Sequence, residues 1–196
     1  VVFFTAIFIC LFLIFFRLNF HHCGIITKAE WDGLRPMHVQ YLPRPVKLVI
    51  IQHTATSTCN SNEGCAELVR NIQTNHMEQQ GFWDIGPSFL IGGNGKVFEG
   101  SGWLNVGAHT YKYNAKSIGI TFIGNFNDEE PTQAAMTAAQ DLIQCGVERG
   151  HLDRDYNLVA HRQLIAIESP GRKLYNKMRS WSHYLENVDS IKNSQR

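Results

Sequence analysis

The sequence carries little charge and does not concentrate it. Asp, Glu, Lys and Arg make up 18% of 196 residues, the formal net charge is +1, and no long run has one sign. Electrostatic wrapping of nucleic acid needs a clustered basic face, so nucleic acid is not an expected partner. General disorder is excluded as well, because 44% of the residues are hydrophobic. No C-x-x-C is present, which argues against a zinc site built from cysteine pairs. No N-x-S/T sequon marks a glycosylated surface. No internal repeat is visible, and the length suits one ordinary domain with a short appendage.

What the chain does have in excess is an apolar start. Val1 to Phe16 contains no charge and ends at Arg17. The run lies between the ~20 residues of a membrane span and the ~7–15 of a signal-peptide core. Its exit, Phe15-Phe16-Arg17, is bulky where a cleavable signal favours small residues. An uncleaved anchor over residues 1–20 is therefore the expectation, giving a single-pass cell-membrane protein with an outward-facing domain at 21–186 and a polar tail at 187–196. A cleaved signal and secretion is the alternative. Both place the domain in an oxidising compartment. Cys10 lies in the apolar run and four cysteines remain, an even number that suggests two disulfides. Cys59 and Cys65 enclose a short polar loop able to close on itself, and Cys23 would then pair with Cys145.

Hydrophobic patterning predicts an α/β domain with a central mixed β-sheet flanked by about three helices. Strands are expected at Lys47–Gln52, Ser88–Ile91, Lys96–Glu99, Ser117–Phe122 and Leu158–Ala160, with a hairpin at Gly92-Gly93-Asn94-Gly95. Helices are expected at Ala66–Met77, at Thr132–Arg149, and from Ser169-Pro170 onward, with Ser169 as N-cap and Pro170 in the first turn. The segment 21–44, broken by Pro36 and Pro43, reads as irregular. Two of nine histidines, His53 and His161, fall at the ends of predicted strands, where α/β folds present catalytic and binding groups. Read alone, each is more simply a satisfied histidine at a strand end.

Several motifs taken together carry a resemblance. They are His53-Thr54-Ala55-Thr56, Gln73 with His76, the stretch Asp84–Trp103, Gly107-Ala108-His109-Thr110, Tyr113-Asn114, Gly119–Phe126, His161-Arg162 and Ser169-Pro170-Gly171. In this combination the chain resembles the peptidoglycan recognition proteins, whose domain is similar to zinc amidases of the phage-lysozyme type. The resemblance implies an amidase-like fold and the disulfides Cys59–Cys65 and Cys23–Cys145. It also implies a groove for the stem peptide and sugar of bacterial peptidoglycan, touched by His53, Thr54, His76, Gly102, Trp103, His109, Thr110, Asn114, His161 and Ser169. Gly102-Trp103 would suit a diaminopimelate-type stem, although Ala115 stands where an Arg is common.

The departures from the family pattern point away from hydrolysis. The amidases hold zinc with two His and one Cys; His53 and His161 match, and Ser169 falls at the Cys position. A neutral alcohol brings no charge to the metal. Pro87 replaces a catalytic Tyr, and Ile167 replaces an assisting Thr or Lys. Phe82, followed by Trp83, stands in place of a groove Trp. The expectation is a non-catalytic receptor or co-receptor of innate immunity, with no metal and no cofactor, binding a muropeptide and able to pair with another recognition-protein ectodomain. Two alternatives remain: an active amidase with an unusual third ligand, and a decoy ectodomain that pairs with a receptor without binding ligand.

Overall fold

The computed structural model describes residues 23–193. Six strands form one mixed sheet: β1 Ile25–Ile26, β2 Val46–His53, β3 Phe89–Ile91, β4 Val97–Glu99, β5 Ile118–Phe122 and β6 Leu152–Ala160. Their order is β1-β4-β3-β5-β2-β6. Only β3 and β4, joined by the glycine hairpin, run antiparallel; the other pairs are parallel. The helices are α1 Asn62–Thr74, α2 Gln133–Glu148, α3 His161–Leu164, α4 Arg172–Met178 and α5 Asp189–Asn193.

Strand β2 shows why the centre of the sheet reads as an unbroken apolar run. Successive side chains point to opposite faces. Val49 and Ile51 enter a core under α2 and α4, shared with Phe89, Ile120, Phe122, Leu142 and Leu174. Leu48 and Ile50 enter a second cluster with Tyr113, Val159, Leu164 and Val188. Both faces are covered, as parallel strands require. A third cluster, with Trp31, Cys65, Val69, Ile85 and Phe98, packs α1 against β3 and β4.

The caps follow from side-chain oxygen at the helix starts. Ser61 Oγ accepts the Gly64 N–H at 3.1 Å, and Thr132 Oγ1 accepts the Ala135 N–H at 3.1 Å. Two bridges are present, Cys23–Cys145 and Cys59–Cys65. The first ties the segment leading into β1 to α2, and the second closes the loop that opens α1.

Four expectations change. Residues 21–44 are not wholly irregular, since Ile25–Ile26 adds an edge strand beside β4. Strand β6 starts at Leu152, six residues earlier than expected. The polar tail includes α5, and Val188 before it is buried in the second cluster. The expected membrane placement is corrected too: among the described residues no helix is long and apolar enough to cross a membrane, and the longest, α2, has 16 residues. The apolar run Val1–Phe16, on which the anchor reading rested, lies outside the described residues.

Candidate functional site

The face of the sheet that carries Leu48 and Ile50 continues to Gln52, and there the core gives way to a cleft. Its cavity of about 610 Å³ lies between α1 and the C-terminal ends of β2 and β6. His53, Thr54, His76, His109, His161 and Ser169 all line it, so six of the ten predicted contacts converge. Pro87 and Ile167 line it as well. A second cleft of about 490 Å³ opens beside it, sharing Phe82 and Ala108 with the first. Asn114 reaches this second cleft, along with Trp83, Ser101, Tyr111 and Lys112.

Each histidine is held differently. His53 ends β2, and its Nδ1 accepts the Phe126 N–H at 3.2 Å. His76 sits in a π-helical turn, Asn75–Gln79, that extends α1. Its Nδ1 accepts the Gly86 N–H at 3.0 Å. A backbone N–H can only donate, so in both neutral rings the proton sits on Nε2. Burial lowers the pKa of both; at His53 the Glu168 charge opposes that effect. Each ring therefore stays neutral and offers an N–H donor.

His109 lies flat on β5, possible because residue 119 is glycine: a Cβ there would meet the His109 ring at 2.5 Å. Its Nδ1 is 3.1 Å from Thr110 Oγ1, and Nε2 has no partner. Burial, with the neighbouring His161, pushes its pKa down to about 3. His161 opens α3, with both ring nitrogens buried and unpartnered; burial and then His53 lower its pKa to about 4. Buried polar atoms are rarely left unpaired, so the two His161 nitrogens are open to a polar partner, while at His109 the Ser117 backbone partly opposes the effect of burial.

A polar network beneath the rings fixes the loop that carries His109. Gln52 Nε2 donates to the His109 carbonyl at 2.9 Å and to Thr110 Oγ1 at 3.1 Å, while Gln52 Oε1 accepts from Thr121 Oγ1. Asn114 Oδ1 accepts the N–H groups of His109 and Thr110 at 2.9 and 2.7 Å. Thr110 is thus a buried support, and Asn114 serves both loop and second cleft. Gln52 was not predicted, though a glutamine closing an apolar strand is the kind of signal that could have found it. Tyr111 and Ser101 left no such signal.

Gly102 and Trp103 do not join the site. The Trp103 indole is buried on the far side of the sheet, 4.5 Å from the Phe89 ring and stacked on His151 at 5.1 Å. Its edge reaches Gly146 of α2, where a Cβ would meet it at 2.5 Å. Gly102 and Trp103 thus line neither cleft. Ser169 is not a helix cap: α4 begins at Arg172 after Gly171. Ser169 Oγ accepts the His53 N–H at 3.1 Å.

These donors do not fit a catalytic zinc, which takes three protein ligands and an open position. His53 Nδ1 is engaged by a backbone N–H and its Nε2 carries the proton, and Ser169 supplies a neutral hydroxyl already in use. Among the described residues no group of three His, Cys, Asp or Glu side chains is placed to hold a metal.

Residues 42–174 match the N-acetylmuramoyl-L-alanine amidase family. A peptidoglycan recognition protein of Bombyx mori is 67% identical over 172 residues, covering 88% of each chain. The chain belongs to the peptidoglycan recognition protein family. Peptidoglycan recognition protein-1 of Manduca sexta superposes with a TM-score of 0.85 at 51% identity, over 88% of this chain and 99% of that one. The ectodomain complex of recognition proteins LCa and LCx, at TM-score 0.82 and 43% identity over 83% and 99% of the chains, is bound to tracheal cytotoxin, a monomeric diaminopimelic acid-type peptidoglycan.

Proposed function

We propose that this chain binds a muropeptide of bacterial peptidoglycan in the joined clefts and does not hydrolyse it, acting as a recognition receptor or co-receptor in innate immunity. The observation that carries this reading is Ser169, a neutral hydroxyl bonded to the His53 N–H at the place where the amidases of the family bring a thiolate. Pro87 in the cleft wall has no hydroxyl to polarise a carbonyl. What remains suits binding: neutral N–H donors at His53 and His76, unpartnered nitrogens at His161, and an aromatic ridge at Phe82. Such a lining recognises amide carbonyls and carboxylates without attacking them. The complex of the related LCa and LCx ectodomains with tracheal cytotoxin supports both the ligand class and pairing with a second ectodomain.

The test combines sedimentation with insoluble peptidoglycan, chromatography of the released fragments and metal analysis of the purified chain. Retention on the polymer without release of stem peptides is expected. Released peptides together with stoichiometric zinc would favour the amidase reading. Failure to co-sediment would favour the decoy.

A further inference from the structure

The mismatch with zinc leaves a question that the geometry answers: what ties the strand ends together where a metal bridge would otherwise do so. His53 donates its N–H to Ser169 Oγ at 3.1 Å, and Arg162 donates its N–H to the Ser169 carbonyl at 2.8 Å. Phe126 donates its N–H to His53 Nδ1 at 3.2 Å, and the Phe126 carbonyl accepts the Lys173 N–H at 2.8 Å. Gly171 closes the circuit by lying so near Phe126 that a Cβ would come within 2.4 Å of its carbonyl carbon. The ends of β2 and β6, the loop after β5 and the start of α4 are thus joined by a run of hydrogen bonds on top of their shared apolar packing. Within this circuit the Ser169 side chain supplies the hydrogen bond from the loop after α3 to β2.

We infer that Ser169 is a positioning residue that fastens the His53 backbone in place of a metal, while the Phe126 N–H sets the ring, so that His53 presents a fixed Nε2–H donor to a carbonyl or carboxylate oxygen of the stem peptide. Oxygen suits this role better than sulfur: a hydroxyl accepts a backbone N–H at ordinary length, whereas a thiol is a weak acceptor. A donor whose tautomer is set before the ligand arrives loses little freedom on binding. The choice of ligand group rests on the proposed function; the clasp itself is a property of the free protein.

Amide hydrogen exchange and long-range 1H–15N spectra of the labelled, ligand-free chain test the clasp directly. The His53 ring is expected to carry its proton on Nε2. Ser169→Ala should speed exchange of the His53 amide by about tenfold or more, and Ser169→Thr, which keeps the hydroxyl, should restore protection. With N-acetylmuramyl tripeptide as probe, Ser169→Ala should weaken binding by about tenfold, and a chelator should leave the affinity of the unmodified chain unchanged. Unchanged His53 protection in Ser169→Ala, a proton on Nδ1, or binding abolished by the chelator would each overturn the proposal. Should Ser169→Ala fail to fold, exchange of the His53 amide in the unmodified chain and in Ser169→Thr still decides: a fast-exchanging His53 amide in the unmodified chain would overturn the clasp. Should the tripeptide not bind the unmodified chain, the binding reading fails while amide exchange continues to judge the clasp.

Discussion

The two clefts share Phe82 as a partition yet are built on opposite principles. In the first, polar groups are buried and their orientation is settled by backbone: Phe126 and Gly86 fix the rings of His53 and His76, and Asn114 and Gln52 fix the loop under His109. In the second, apolar groups are left in solvent. Tyr111 and Trp83, which line it, are 77% and 54% exposed, and Met37 and Tyr41 on the neighbouring strap at 34–42 are 75% and 78% exposed. The strap that carries Met37 runs alongside Trp83 and Leu104, with Met37 N–H bonded to the Trp83 carbonyl and Leu42 N–H to that of Leu104. The strap is anchored by Gln73, which exchanges hydrogen bonds with the backbone of Leu34, and by the Lys28–Asp84 ion pair. Order in the first cleft is thus part of the folding energy, whereas side chains on the rim of the second are free to vary without endangering the fold.

Acid should break this contrast most strongly. His109 and His161 have folded pKa values of about 3 and about 4, against 6.5 for the free group. The unfolded chain therefore takes up protons below pH 6.5 that the folded chain refuses. Stability is fully present above pH 6.5 and is lost as pH falls toward 4. At pH 5 the loss is ~2 kcal/mol for each ring. Urea melts at pH 7 and pH 5 measure it, and His161→Gln should remove about half of the difference. Equal midpoints at the two pH values would mean that the first cleft is not the sensitive region.

Next in size is Gly119→Ala. The added methyl would stand 2.5 Å from the His109 ring, so the ring would have to shift toward the cleft that it lines. Overpacking of this kind costs ~1–3 kcal/mol. The same change should displace His109 and weaken muropeptide binding. A variant as stable as its parent, with full affinity, would show that the ring has room that the packing denies it.

How much of this was legible in the sequence follows from how local each cause is. The apolar run of β2, the glycine hairpin and the helix after Thr132 are set by neighbouring residues, and they lie where patterning placed them. The first six of the nine residues of strand β6 escape the pattern because Asp153, Arg154 and Asp155 are a solvated stretch without an apolar signal. The clustering of His53, His76, His109 and His161 required a family resemblance, since 108 residues separate the first from the last and periodicity says nothing about such distances. Ser169 misled because serine before proline is a good helix start; only the turn at Gly171, with φ of 86° and pressed on Phe126, moves the helix start onward and frees the hydroxyl for His53. Trp103 misled for a similar reason. The turn through Gly102, at φ of 72°, leads into an indole that packs on the opposite side of the sheet against Gly146, a contact no local pattern encodes.

The smallest effect on folding, and the sharpest test of the contrast, belongs to Trp83→Ala. The indole touches His38 edge-on at 4.4 Å and otherwise faces solvent on the rim of the second cleft. A surface substitution of this kind changes stability by no more than ~0.5 kcal/mol. A large aromatic group beside a cleft is, however, the kind of side chain that supplies contact area to a ligand at low entropic cost. Trp83→Ala should therefore melt like its parent and bind N-acetylmuramyl tripeptide about three- to tenfold more weakly. The pairing of outcomes is what matters: for Gly119→Ala stability and affinity fall together, while for Trp83→Ala affinity falls alone. If Trp83→Ala lost stability as Gly119→Ala does, the two clefts would be one cooperative unit and the division between a locked wall and a free one would have to be abandoned.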